Sequence, residues 1–332
     1  MSQHFLLSAR ARTLSLVQVM RLTDGEAETE FRKVRWPETD GEPVCVHCGS
    51  LTVYECRRPN GSPRWRCKDC EHDFTITSGT LFAAHKLSLR VYLAAIAVFC
   101  NEVKGKSMLA MSRDLGCQYK VAFVLCHKLR EAMSADMHGQ AVGGEGKTVE
   151  IDGLYAGGYV KPANHREDRK DRRLFENRSG KRQVVVVARE RGGRTIADVF
   201  PTEAAAVNFI RSRVARGTVI HADEAGGWND LHGRFEMFRV NHQETYSAED
   251  GACTNVAESF FSRLRRAEIG HHHHIAGPYL ARFAQESAWR EDNRRLANGE
   301  QVHAVATLAM KCRPSAEFCG YWERAEKKGA VK

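Results

Sequence analysis

No stretch of 18 consecutive apolar residues occurs in the 332-residue sequence, so no segment reads as a membrane span. The longest candidate, residues 91–100, suits a buried helix instead. The first 22 residues lack the long apolar core of a secretory signal, and basic residues follow their short apolar start. A G-x-x-x-x-G-K-[ST] phosphate loop is also missing, which removes the usual seat for nucleotide triphosphate chemistry. Charged residues make up 27% and hydrophobic residues 42% of the chain, so a disordered class is excluded. Without an export signal the 11 cysteines are expected in a reducing, cytoplasmic compartment, where cysteine pairs favour metal over disulfide.

What is present is basic and patterned. The net charge of +9 points to a polyanionic partner, with nucleic acid the leading class and a solvated basic surface the alternative. Cys45-Val46-His47-Cys48 is followed, after 18 intervening residues, by Cys67-Lys68-Asp69-Cys70. Two C-x2-C knuckles at this separation supply four thiolates that can close tetrahedrally on one structural zinc, leaving no role for His47 or Cys56. Short strands are predicted over 51–56 and 64–67, with a turn at Asn60-Gly61. A unit this small needs the metal to fold. Before it, residues 1–43 form a leader in which Thr23 and Glu26 have capping-box spacing, predicting a helix that carries Phe31 and Val34 and ends at Trp36-Pro37.

Residues 86–135 read as three helices. Ser88 and Ser107 are placed to cap the first two, and Gly116 fits the turn into a third that carries Ala122, Leu125, Cys126, Leu129 and Met133 at helical spacing. Short helix, glycine turn, longer helix is a helix-turn-helix pattern. It would present Gln118, Tyr119 and Lys120 to DNA; a plain three-helix packing unit is the alternative. A glycine-rich linker at 136–147 marks a boundary.

From Thr148 the pattern becomes strands: 148–155 with Val149 and Ile151 on one face and Glu150 and Asp152 on the other, then 184–187, 194–200, 217–221 and 235–240. Helices are predicted from Thr202 to Arg213 and from Asn255 to Arg266. Three antiparallel strands, a helix, then further strands and helices is the order of an RNase H-like domain, a mixed sheet flanked by helices, over 148–297. In that order the fourth strand lies beside the first, so Asp152 and Asp223 become neighbours and Glu258, separated from Asp223 by 34 residues, heads a helix over the same edge. Converging carboxylates repel unless hard divalent cations neutralise them. Two Mg²⁺ or Mn²⁺ ions about 4 Å apart suit phosphodiester displacement. The alternative makes each acid a surface or ion-pair residue. Residues 161–182 hold nine Lys or Arg and four Asp or Glu, a basic insertion suited to phosphate. His271 to His274 read as a loop, Pro278 opens a further helix, and 298–332 is expected to be a basic tail.

These residues carry a resemblance. Thr148-Val149-Glu150-Ile151-Asp152-Gly153-Leu154-Tyr155 is similar to the first catalytic strand of DDE transposases from bacterial insertion sequences, and His221-Ala222-Asp223-Glu224 to their second aspartate block. The run from Cys253 to Arg266 resembles their third block, and the match is to the zinc-ribbon-bearing ISXO-two-like group. The resemblance implies that Asp152 and Asp223 are metal ligands. Glu258 is implied as the third, with Asn255, one turn earlier, as the alternative. Arg265 stands where many relatives have a phosphate-contacting lysine; Cys253 replaces a frequent histidine. The implied activity is hydrolytic nicking at element ends, followed by attack of the freed 3′-hydroxyl on target DNA within a dimer or larger synaptic complex. Two other functions fit the same residues less fully: an RNase H-fold nuclease without strand transfer, and a transposase-derived DNA-binding regulator with a dead site.

Overall fold

The first four α-helices start on hydroxyls the sequence provides. In the computed structural model, which describes residues 5–59, 61–84, 86–157, 163–171, 174, 182–240, 253–275 and 277–319, the Ser15 and Thr23 side chains cap α1 (Leu16–Arg21) and α2 (Asp24–Arg35), each with a reciprocal capping box. Phe31 and Val34 are buried on α2, which ends at Trp36. The chain divides into two compact units, residues 1–135 with 295–332, and residues 136–294.

In the first unit a three-stranded antiparallel sheet, β1 (Val53–Glu55), β2 (Trp65–Cys67) and β3 (Asp73–Phe74), forms the ribbon. Gly61, in the left-handed region at φ +77, turns the chain between β1 and β2; Asn60 lies outside the described residues. Trp36 meets Trp65 edge-on at 5.6 Å, which ties the end of α2 to the ribbon. Ser88 accepts from the Val91 N–H to start α3 (Leu89–Asn101), and Ser107 from Ala110 to start α4 (Met108–Asp114). Gly116, at φ +60, makes the turn into α5 (Tyr119–Met137). Residues 92–100 of α3 are all buried, a wider apolar surface than the one-faced helix predicted. No helix among the described residues is long and apolar enough to cross a membrane.

The stretch predicted as a basic tail contains α9 (Asn298–Lys311), with Val302, Val305, Ala306, Ala309 and Met310 buried at helical spacing. Its Ala309 carbonyl accepts from the Leu81 N–H, and Arg35 donates to the Met310 carbonyl, so this helix is core rather than tail. Residues 320–332 lie outside the described residues.

The second unit is built on a five-stranded sheet in the order β6-β5-β4-β7-β8. Its strands are β4 (Thr148–Gly157), β5 (Arg182–Glu190), β6 (Thr195–Phe200), β7 (Val219–Asp223) and β8 (Glu236–Val240). β4, β5 and β6 form an antiparallel meander, while β7 runs parallel to β4 and β8 parallel to β7. This is an RNase H-like sheet. Val149, Ile151, Val184, Val186, Ile220 and Ala222 bury one face with Ile210 of α6 (Val207–Arg213) and with Trp228. Strand alternation sends Glu150, Asp152, Val185, Val187 and His221 to the other face. There α7 (Asn255–Ala267) and α8 (Leu280–Asn293) lie. The predicted linker is partly core: Val142 is buried, bridges to Val214 and donates to the Arg213 carbonyl at 2.8 Å.

Candidate active site and zinc site

The ribbon cysteines come together as their spacing requires. The Sγ atoms of Cys45, Cys48, Cys67 and Cys70 all lie within 4.8 Å of one another, the one such cluster of potential ligands among the described residues. Cys45 and Cys70 approach to 3.6 Å, as do Cys48 and Cys67. A tetrahedral zinc with bonds of about 2.3 Å needs sulfurs about 3.8 Å apart, so the four thiols fit that metal. Without a metal the four thiols share their protons unevenly: the Cys70 and Asp69 backbone N–H groups pull the Cys67 thiol down to about 6, while burial and the neighbouring thiols push Cys48 up to about 12. Gly49 and Glu71, each just after a knuckle, take φ +78 and +56. The left-handed turn is therefore repeated in both knuckles, once with glycine and once without. Cys56 is exposed and outside the cluster, and His47 stacks on His72 at 4.6 Å.

The candidate carboxylates share one side of the second sheet. β4 and β7 pair in register from Thr148↔Val219 to Ile151↔Ala222, and one further step sets Asp152 beside Asp223. Asp223, expected just past the strand, is its last residue. One Asp223 oxygen accepts from Trp228 Nε1 at 2.9 Å and from the Ala225 N–H at 3.3 Å. Asp152 accepts from the Gly153 N–H at 2.7 Å. Burial pushes the Asp152 carboxyl up to about 7, and the negative fields of Asp223, Glu258 and Glu203 add to that push. Glu258 lies in the first turn of α7 and is half-buried, while Asn255, the helix's first residue, is exposed. Arg265 is exposed two turns beyond Glu258.

These carboxylates do not close as tightly as the cysteines, consistent with a wider site. A concentration of negative charge on a buried acid is the environment a hard cation neutralises. The charges of Asp223, Glu258 and Glu203 all act on Asp152 here.

Glu203 is a fourth acid that sequence patterning did not single out. Burial raises its carboxyl first, then Asp223. A Cβ on Gly153 would lie 2.6 Å from Glu203 Oε1, so the glycine after Asp152 makes room for it. That glycine was the available signal.

Gln118, Tyr119 and Lys120 are exposed at the start of α5. Farther along the same helix His127, Lys128 and Arg130 are buried. Of the basic insertion, residues 163–171, 174 and 182 are described, with Arg169 folded back on the Ala163 carbonyl at 3.1 Å; the rest lies outside the described residues. The His271 to His274 run includes the end of a π-helical turn, Glu268–His272, and His272 packs edge-on against Phe283 at 4.6 Å.

Residues 143–292 match the model of the ISXO2-like transposase domain. Residues 22–73 match that of the transposase zinc-ribbon domain. Both matches are to transposase domains, and the longer one is to the ISXO2-like domain. No curated protein matches it. The transposase domain coincides closely with the second compact unit, and its match begins at the glycine-rich stretch before β4. The zinc-ribbon match takes in α2 as well as the cysteine sheet, in keeping with the Trp36–Trp65 contact.

Proposed function

We propose that this transposase cuts DNA at the ends of its mobile element and joins the freed 3′-hydroxyl to target DNA. Asp152, Asp223 and Glu258 are its metal-holding carboxylates. The β4–β7 register, which brings Asp152 to Asp223 on the face that receives α7, carries the reading. When bound, two Mg²⁺ or Mn²⁺ ions supply activation of the attacking oxygen and stabilisation of the leaving one. In the nicking step water forms a bond to phosphorus as the bond to the 3′-oxygen breaks. In the joining step that 3′-oxygen attacks a target phosphorus and displaces another 3′-oxygen, with no bond to the protein at any point. Glu258 is preferred over Asn255 because its charge acts on Asp152 and because a carboxylate binds these ions more strongly than an amide.

The zinc ribbon, the α3–α5 unit with Gln118, Tyr119 and Lys120, and Arg265 are assigned to DNA. A structural zinc holds the ribbon. Joining two element ends calls for a dimer or larger assembly.

Cysteine substitution tests the ligand set. A thiolate is a poor ligand for Mg²⁺ and a better one for Mn²⁺. Asp152→Cys, Asp223→Cys and Glu258→Cys are expected to lose end cleavage by at least about a thousandfold in Mg²⁺ and to recover part of it in Mn²⁺, while Asn255→Cys keeps Mg²⁺ activity. A metal switch at position 255 and none at 258 would move the third ligand to Asn255. No switch at 152 or 223 would sink the assignment.

A further inference from the structure

Glu150 is fully buried and charged, two residues before Asp152 on the same face of β4, and nothing in the proposed chemistry uses it. Its Oε2 accepts from the Val256 N–H at 2.7 Å and from the Ala257 N–H at 3.1 Å. Those are the second and third residues of α7, whose first N–H groups have no partner inside the helix. Thr254, at the cap position, makes no side-chain cap bond. The cap of this helix therefore comes from another strand, as a full negative charge at the positive end of the helix. The other oxygen, Oε1, accepts from Arg191 Nε at 2.8 Å.

Neighbouring groups extend the tie. Arg191, in the turn after β5, also donates to the Cys253 carbonyl at 3.2 Å and its sulfur at 2.8 Å. His221 pairs with Glu150 across the β4–β7 register, and its Nδ1 accepts from the Cys253 N–H at 3.1 Å. Two rows result. Glu150 and His221 sit side by side and grip residues 253–257. Two residues farther along the same strands, about 7 Å away, Asp152 and Asp223 sit side by side. Glu258 directly follows the gripped segment.

We infer that Glu150 is a positioning residue that fixes the distance of Glu258 from Asp152 and Asp223 by clamping the start of α7 to β4, with Arg191 and His221 as its supports. This rests on the proposal that Glu258 is a metal ligand. Glu150 is not itself a ligand, because both its oxygens are taken by N–H donors. The clamp also gives Cys253 a place: its backbone N–H and carbonyl are held by His221 and Arg191. Small errors of placement matter, since a displacement of about 1 Å can cost about a hundredfold in rate.

The test uses the full chain with Glu150→Gln, Glu258→Gln and the double variant. Mn²⁺ affinity is measured without DNA, alongside hydrogen exchange of residues 253–267. Glutamine can keep one acceptor on the helix but turns an amide N–H₂ toward Arg191. Glu150→Gln is expected to speed exchange of the Val256 and Ala257 amides by at least tenfold and to weaken Mn²⁺ binding by about tenfold. The double variant is expected to bind Mn²⁺ no more weakly than Glu258→Gln alone. If Glu150→Gln does not fold, Glu150→Asp reads the same quantities with the charge opposite Arg191 retained. Wild-type exchange at α7, or losses in Mn²⁺ affinity that add in full, would overturn the inference. If Glu258→Gln alone leaves Mn²⁺ binding intact, the ligand assignment fails, while the exchange result still reports on the clamp.

Discussion

Asp152 is held where its charge is unwelcome. Its carboxyl rises from 3.8 to about 7, first through burial and then through the acids around it. The sign is opposite to that of a salt-bridged aspartate. Between these two values the folded chain keeps a proton that the unfolded chain has lost, so stability without metal falls as pH rises through that window. Asp152→Asn removes the effect. In metal-free thermal unfolding, the variant is expected to match the wild type near pH 4 and to exceed it by a widening margin toward pH 8, with excess Mg²⁺ closing the gap. A margin that is constant or shrinks with pH would contradict this. The adjacency of Asp152 and Asp223 was legible in the strand order and agrees with the β4–β7 register, while Glu258 was singled out by its place at a helix head and by the resemblance of the run from Cys253 to Arg266. Glu150, Arg191 and Glu203 were not, because their partners are distant in the chain and only the sheet register brings them together. His221 was read as part of the aspartate block, with no hint of its grip on Cys253.

Elements with local causes were the most legible. Thr23 with Glu26, Ser88 and Ser107 all cap the helices expected of them, since a cap needs only the next three residues. α9 was missed because the charge of the last 35 residues was read ahead of the apolar spacing from Val302 to Met310. Two predictions belong at this scale. Removing zinc with a chelator should release one ion per chain and strip amide-exchange protection from β1 to β3 while β4 to β8 stay protected, because the ribbon has too little core of its own. Retained protection in the ribbon would make the metal dispensable. Lys120→Ala, at the exposed start of α5, should weaken binding to element-end DNA. Losing one phosphate contact should also lower the slope of log affinity against log salt by about 1. An unchanged slope would leave the α3–α5 unit as packing alone.

For the whole molecule, the chain forms two compact units, and its charge is unevenly spread. Residues 161–182 alone contribute five of the nine net positive charges. An insertion of this kind between β4 and β5, beside the strand that carries Asp152, suits a polyanion brought to the carboxylate face. The β5–β6 step of the RNase H-like strand order was readable from the turn signal Arg191-Gly192-Gly193. The direct measurement is a reaction of the purified full chain with Mg²⁺, a duplex carrying the terminal sequence of its element, and a separate target DNA. The expected products are element ends joined through their 3′-hydroxyls to the target, formed by the wild type and absent with Asp152→Asn or Asp223→Asn, both of which still shift the end duplex in a gel. Cleavage without joining, or a shifted duplex with no strand breakage by the wild type, would contradict the central claim.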